Sequence, residues 1–393
     1  MPHEPAKNHD VIVVGAGISG ASTALDLARR GVDVLMVDRF CPAAMASGWT
    51  LAGVRQSGRH RAELPLARSA VEIWASMDEE LEAETFYRRT GNLRCARNEA
   101  EAKIILDLVK EQEAAGLDIA LLKGREVQKL APAVSEKVIV ASYCPSDGQA
   151  DPVATTKAIA EAAKRAGAKT LFGERVLSLD RDASGAVIGL TTDKRRLAAG
   201  KVVLCAGVYG NELINPLDLN VPMEVQMVTM MNSTPTERII EQVIGTANAT
   251  GSGRQEPDGK FRCGGGHETW NGDIVVEDGM PRVRPSVKNL LCAMENFCDL
   301  VPAFRQARIE RIWAGLIDQT PDALPVLDEP AGAPNLVIAF GFSGHGFCLG
   351  PVTGRILGAL VSGEDPGYDL SPFRLSRFNS WSGGEAAPLS LHG

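Results

Sequence analysis

The chain has 393 residues, 23% of them charged and 45% hydrophobic, with a net charge of −8. That length suits two or three lobes, and the acidic balance argues against a nucleic-acid surface. No apolar run reaches the ~18 residues of a membrane span, the opening MPHEPAKNHD lacks a signal-peptide core, and eight cysteines without a C-x-x-C pair argue against a disulfide scaffold or a metal site and for a reducing, cytoplasmic setting.

Residues 10–38 read DVIVVGAGISGASTALDLARRGVDVLMVD. The β-branched run 11–14 suits a buried parallel strand. Gly15, Gly17 and Gly20 follow as G-x-G-x-x-G, then a helical pattern stopped by Gly31, then a second strand over 32–37 that ends at Asp38. The spacing fits a dinucleotide site. Gly15 permits the turn, Gly17 lets backbone approach a pyrophosphate, and Gly20 lets helix pack on strand. The helix start faces the phosphates, and Asp38 stands where an acid accepts from a ribose diol.

Next comes a loop of small residues containing Ser47, Gly48 and Gly53, then a helix expected over 65–81. Arg55, Arg59, His60 and Arg61 cluster in that loop. They make either a solvated surface or an anion-binding wall. Strands are expected around Thr90 and Gly91, and an amphipathic helix over 99–115. A short helix runs from Gly124 towards Pro132, with a turn-rich link over 143–149 after it. Asp151 and Pro152 open a further helix as N-cap and N1. Strands at 174–179 and 189–192 flank a turn at Ser184-Gly185, and 201–205 (KVVLC) is again a parallel-type strand.

From about Met223 to Glu310 alternating stretches at 223–231, 260–263 and 273–276 point to an antiparallel sheet, with a helix at 286–297. A strand at 335–340, a glycine turn at 341–346 and a helix at 351–362 with Pro351 at its start then direct a second helix N-terminus at a ligand.

The fingerprint, KVVLCAG, TPDALPVLD and GFSGHGF, in this order, resemble the D-amino-acid-oxidase-like FAD-dependent oxidoreductases. Within that superfamily WAGLIDQTPD and GVRQSGRHRAELPLA look most like sarcosine oxidase β-subunits and opine-oxidase-type subunits. The resemblance spans most of residues 10–365. It implies an α/β fold in which a Rossmann-like FAD-binding domain (1–85, 145–215 and 325–393) carries an inserted antiparallel-sheet substrate domain (86–144 and 216–324).

The resemblance also assigns residues. Gly15, Gly17, Gly20 and Asp38 would hold the FAD pyrophosphate and ribose. Ser47 and Gly48 would continue along the phosphates, Val176 would meet the adenine, and Ala206 and Gly207 would line the same pocket. Gly344, His345, Gly346, Phe347 and Cys348 would sit at the flavin ring. Arg55 aligns with a carboxylate-binding arginine, helped by Arg59 or Arg254. Cys348 replaces the second cation that monomeric sarcosine oxidases use, and the arginine that glycine oxidase places after Gly315 is missing. Gly315 also stands where a flavin-linking cysteine would be, so non-covalent FAD is expected. Cys348, if not a small buried hydrophobe, is the thiol positioned for a link. Aligning GGGHE puts Cys263 where an oxygen-activating lysine would be and His267 beside the substrate or capping a turn. This favours a dehydrogenase over an oxidase.

The implied activity is oxidation of the C–N bond of a secondary amine or amino acid to an imine. Arg55, His267 and His345 are the catalytic candidates, and Trp270 and Trp313 would be apolar walls. Two alternatives stand beside it: a 2-hydroxy-acid dehydrogenase with His267 or His345 as base, and a subunit active only with a partner chain. The electron acceptor, oxygen, quinone or protein, is left open.

Overall fold

The structure, a computed structural model, describes residues 8–381 and 383. Most of the opening decapeptide and the C-terminal end of the expected first lobe therefore lie outside the described residues. Two eight-stranded sheets organise the rest.

In the first sheet Asn8–Val14 lies centrally. It pairs in parallel with Arg196–Leu204 on one side and Val34–Asp38 on the other, with Val11 opposite Lys201 and Val34. Leu336–Phe340 and Lys169–Phe172 extend it in parallel at either flank. Val176–Arg181 and Val187–Thr192 add an antiparallel hairpin. Central strands are buried on both faces, which is why they read as continuous Val, Ile and Leu runs.

Two helices cross one face of this sheet. Ile18–Arg29 follows the glycine turn, and Gly346–Ser362 packs along it. Gly350, Gly354 and Gly358 recur every fourth residue on the second helix, where a Cβ would run into Ile18, Ser22 and Asp26. The bare stripe lets the two axes approach closely and brings both helix N-termini to one edge of the sheet.

The expected start of the second helix is corrected. It begins at Gly346 with His345 as N-cap, and Pro351 is inside it. Pro351 lacks the N–H that would reach the Phe347 carbonyl and its ring crowds that carbonyl, yet the helix continues through it to Ser362. The helix expected over 65–81 divides at Ser76 into Leu64–Ala75 and Met77–Leu81.

The second sheet runs in the order Ile309–Gln319, Glu224–Ser233, Phe261–Thr269, Gly251–Gln255, Val243–Thr246, Asn92–Ala96, Val140–Cys144, Ala120–Lys123. Its pairs are antiparallel except Val243–Thr246 with Asn92–Ala96. Val287–Leu300 covers one face, with Phe297 buried against Phe261 and Phe304. The 273–276 stretch does not join this sheet. Val275–Glu277 and Met280–Arg282 form a separate hairpin. Among the described residues, no helix is long and apolar enough to cross a membrane.

Candidate active site

The fingerprint turn is shaped by steric necessity. Gly15 has φ +108°, and a Cβ there would overlap the Cys205 carbonyl. A Cβ on Gly20 would overlap the Gly15 carbonyl. Strand and helix therefore meet at backbone distance, and Ile18 N–H at the helix start donates to Ser47 Oγ at 3.0 Å. Asp38 is held by Ala16 N–H on Oδ2 and Phe40 N–H on Oδ1, each at 2.7 Å. Each carboxylate oxygen keeps a second lone pair for a ligand hydroxyl. Burial raises the Asp38 pKa against those two bonds.

A cavity of about 160 Å³ opens here, lined by Gly15, Asp38, Arg39, Glu174, Val176, Ala206 and Tyr209. The Arg39 guanidinium stacks 4.5 Å from the Tyr209 ring centroid. A second cavity of about 230 Å³ lies between the two sheets. Gly17, Ala46, Ser47, Cys205, Gly207 and Leu316 line both, so the two form one continuous cleft.

The far end of that cleft is different in kind. Arg55 and Arg59 come from the early loop, Arg94 from the Asn92–Ala96 strand and His267 from Phe261–Thr269, and all four line it. The three arginines are 6%, 4% and 4% exposed. The first of them is locally fixed: Arg55 Nη1 donates to the Ser57 carbonyl at 3.2 Å. Asp147 lies behind it, accepting from Gln56 N–H at 2.8 Å and from the Ser57 hydroxyl. Arg59 Nε donates to the Arg55 carbonyl at 3.3 Å, and its Nη1 has no hydrogen-bond partner. Burial, with Arg59 and Arg94 nearby, holds the Arg55 pKa well below the usual guanidinium range, and burial with Arg59 lowers that of Arg94 to about 10. Two unit charges ~6 Å apart repel by on the order of 3 kcal/mol at an effective dielectric near 20. Such a cluster needs anions.

Glu63 and Asp147 are the built-in ones. Glu63 is fully buried and meets His345 Nδ1 at 2.8 Å. Burial opposes its charge, but His345, Arg59 and Arg55 outweigh that and lower its pKa. Burial lowers the His345 pKa, so the imidazole is neutral and Nδ1–H donates to Glu63.

Two expected ring-side residues turn their side chains away from the cleft. His345 does not line the cleft, because its ring is turned into the buried Glu63 pair. Cys348 does not line it either. Its thiol donates to the Arg55 carbonyl at 3.4 Å, its carbonyl accepts from Trp74 Nε1 at 2.9 Å, and burial pushes its pKa up to about 11. Gly344, Gly346 and Phe347 do line the cleft. Gly48 does not: a Cβ there would overlap the Ala43 carbonyl, and its own carbonyl accepts from Arg262 Nη2 at 3.1 Å.

The GGGHE strand is bulged at Gly266, φ +63°, between the partners of Val228 and Thr229. A bulge shifts the facing of the residues around it. His267 faces the cleft, while Cys263 is buried with Phe297 in the second-sheet core rather than standing at a cavity wall. Arg262 instead underpins the early loop, with Nε on the Thr50 carbonyl at 2.9 Å and its guanidinium 4.9 Å from the Trp313 ring centroid. Arg254 is not among the lining residues; it holds Gln149 at 2.8 Å. Trp270 and Trp313 are not walls of the cleft. Trp49, Val228, Met230, Leu316, Ile317 and Phe342 are.

Sequence reasoning missed Arg94, Trp49 and Glu63. Glu63 and Trp49 sit inside stretches that were singled out for other residues, and Arg94 carries no local signal at all. Asp318 was also overlooked, although it lies within the WAGLIDQTPD stretch. Its carboxylate accepts from Gly341 N–H at 2.6 Å and Phe342 N–H at 3.1 Å, tying the second sheet to the glycine turn. Burial pushes its pKa up to about 6.

A dinucleotide cradle that opens into a buried, cationic and apolar chamber between two lobes defines a dinucleotide-dependent oxidoreductase. The family model described as FAD dependent oxidoreductase (DAO) matches residues 10–360, and the chain belongs to that family. It is similar to the sarcosine oxidase subunit beta of Arthrobacter sp, with 24% identity over 393 residues covering 96% of this chain and 93% of that one. It is also similar to the monomeric sarcosine oxidase of Bacillus sp. (strain B-0618), with 27% identity covering 94% and 96%. Among solved structures, L-proline dehydrogenase from P. horikoshii matches with a TM-score of 0.87 and 25% identity, covering 98% of this chain and 100% of that one.

Proposed function

We propose that this protein oxidises the C–N bond of a secondary amine that bears a carboxylate. The single observation that carries this is the continuous cleft from the Asp38 cradle to the buried arginines. The cradle fits FAD: Gly17 and the Ile18 helix N-terminus for the pyrophosphate, Asp38 for the ribose, Val176 and Tyr209 at the outer end. FAD bound there would supply the two-electron acceptor for the carbon beside the amine nitrogen.

The chain's own residues do the rest. Arg55 takes the substrate carboxylate in a charge-assisted pair. Trp49, Leu316, Ile317 and Phe342 exclude water from the amine. That dry wall and the neighbouring guanidinium groups favour the neutral amine, which is the reactive form. No carboxylate base is needed at the reacting carbon. The imine product is hydrolysed by water to a carbonyl compound and an amine.

Non-covalent FAD is supported by the placement of Cys348 behind the wall. Cys205, at the glycine end, is the one cysteine lining the larger cavity among the described residues. A dehydrogenase is the preferred reading because, among the described residues, no lysine lines that cavity. The similarity to a β-subunit makes a partner chain the natural candidate to receive the electrons.

The test is the absorption spectrum of purified protein before and after acid precipitation, then anaerobic titration with N-alkyl amino acids. Flavin that leaves with the supernatant and bleaches with an amine supports the reading, and dye reduction without oxygen uptake supports the dehydrogenase. Well-folded protein that takes up no flavin sinks it. A second reading, oxidation of a 2-hydroxy acid, is favoured by His267. Its Nδ1 has no hydrogen-bond partner, it faces the cleft, and burial lowers its pKa, so it is a neutral acceptor at neutral pH. Under that reading His267→Gln loses at least ~100-fold in kcat with a hydroxy acid, the scale of general-base catalysis. Under the amine reading the same change costs less than about 10-fold.

A further inference from the structure

One hairpin belongs to neither large sheet and reaches from the second lobe to the cavity at the Asp38 end of the cleft. Val275–Glu277 pairs with Met280–Arg282 and with no other strand among the described residues. We propose that residues 271–282 are a strap across that cavity, through which the substrate lobe sets how fast FAD enters and leaves. The inference rests on the FAD reading of the cradle. It concerns the cofactor's exchange rather than its recognition, which stays with the glycines and Asp38.

The strap is stiff by its own sequence. Asp278 and Gly279 have φ +52° and +73°, the paired positive values of a two-residue turn that matches strand twist. Glu277 pairs with Arg282 at 2.8 Å and with Arg284 just beyond it. Ladder, turn and ion pairs make the hairpin one body. Main-chain bonds tie it to the second sheet at both ends: Trp270 N–H donates to the Val225 carbonyl at 2.8 Å, and Ala314 N–H to the Val283 carbonyl at 3.0 Å. Between the first tie and the hairpin stands Gly272, φ +91°, with nothing within 4 Å of the place a Cβ would take. A bare, open glycine is where the backbone can turn as a hinge. Asn271 and Asp273 bond each other across it at the exposed surface, where water replaces those bonds. Val275 and Val276 are 40% and 55% exposed, so no further layer pins the hairpin from outside.

Two latches hold the strap to the first lobe. Met280 Sδ lies 3.8 Å from Cys41 Sγ. The Trp270 indole is the second: its ring meets the Tyr209 ring edge-on, centroids 6.2 Å apart, and its Nε1–H donates to the Asp273 carbonyl of the strap at 2.9 Å. Cys41 and Tyr209 both line the cavity. The strap is thus rooted in one lobe and fastened to the cavity rim of the other.

Both latches join protein to protein. Opening breaks the same contacts whichever way the cofactor passes, so they slow uptake and release by one factor and leave the dissociation constant alone. A residue that simply touched the cofactor would change release and dissociation constant together.

The test uses full-length, flavin-loaded protein. Release is read as the rise of free-flavin fluorescence after dilution, the dissociation constant by equilibrium dialysis, and uptake as the quotient of the two. Met280→Ala, at an exposed position, should speed release about 3-fold. Adding Trp270→Phe, which keeps a ring and removes the N–H, should bring this to about 10-fold, the scale of one sulfur contact and one hydrogen bond. The dissociation constant should stay within about 2-fold in both variants, so that uptake quickens by the same factor as release. Should the double variant not fold, Met280→Ala decides alone. Release within about 2-fold of wild type overturns the strap, and so does a dissociation constant that weakens in step with release. Well-folded wild-type protein that takes up no flavin overturns the FAD reading itself.

Discussion

At the Asp38 end of the cleft the recognising groups come from a short run of sequence. Gly15, Gly17, Gly20 and Asp38 fall within 24 residues, and what they offer is mostly backbone: turns, N–H groups and close approach. At the arginine end the recognising groups are side chains from three separated segments. Arg55 and Arg59 come from a loop, Arg94 from a strand of the other sheet, and His267 from a bulged strand much later in the chain. A backbone cradle tolerates little variation, because a Cβ is all it takes to fill it. A side-chain chamber changes specificity by one substitution without touching the fold. Under the proposed function, cofactor and substrate recognition are therefore separable in this molecule.

The largest effect should come from breaking the cradle. Gly20→Val puts branched carbon where the Gly15 carbonyl stands, and the flavin-to-protein absorbance ratio should fall by roughly 100-fold or the protein should fail to fold. Arg55→Met should leave the flavin spectrum intact and lower kcat/KM by about 100- to 1000-fold, because a buried carboxylate contact disappears. A flavin-free Arg55→Met protein would show that the two ends are not independent.

The hinge between the ends is Asp318, and pH probes it. Its folded pKa, about 6, lies above the ~3.9 of an unfolded aspartate. A raised pKa contributes stability that is complete below about pH 4 and lost as pH rises through about 6. The wild-type unfolding free energy minus that of Asp318→Asn should therefore be more favourable at about pH 4.5 than at about pH 7.5, by on the order of 2 kcal/mol. A flat difference would mean that the carboxylate is hydrated. Asp318→Asn also loses one of two acceptors for the Gly341 and Phe342 N–H groups, so the glycine turn should loosen and flavin affinity should drop by about 10-fold.

The smallest effect belongs to Cys348→Ser. With the thiol buried behind the chamber wall, acid precipitation should release the flavin from wild type and variant alike. Flavin retained only by the wild type would place Cys348 against the ring.

The parallel strands were legible because burial on both faces forces continuous apolar runs, and the glycine fingerprint because its spacing is set by one turn. The start of the last long helix was misjudged because proline was read as a boundary, whereas the helix begins at Gly346 and carries Pro351 in its second turn. His345 and Cys348 were placed at the ligand by their neighbours in GFSGHGF, yet a helical start fans successive side chains in different directions. Gly344, Gly346 and Phe347 face the cleft, while His345 turns to Glu63. Cys263 was misplaced because the bulge at Gly266 alters the facing of the strand, which period-two counting cannot foresee.

The sequence by itself determined the cofactor end of this protein, since a phosphate cradle is written in local spacing and the backbone it dictates. Only the tertiary structure decided the substrate end. The distance between Arg55 and Arg94, the burial of Glu63 behind them and the facing of His267 depend on how two sheets meet, and no local pattern encodes a meeting of segments that are far apart in the chain.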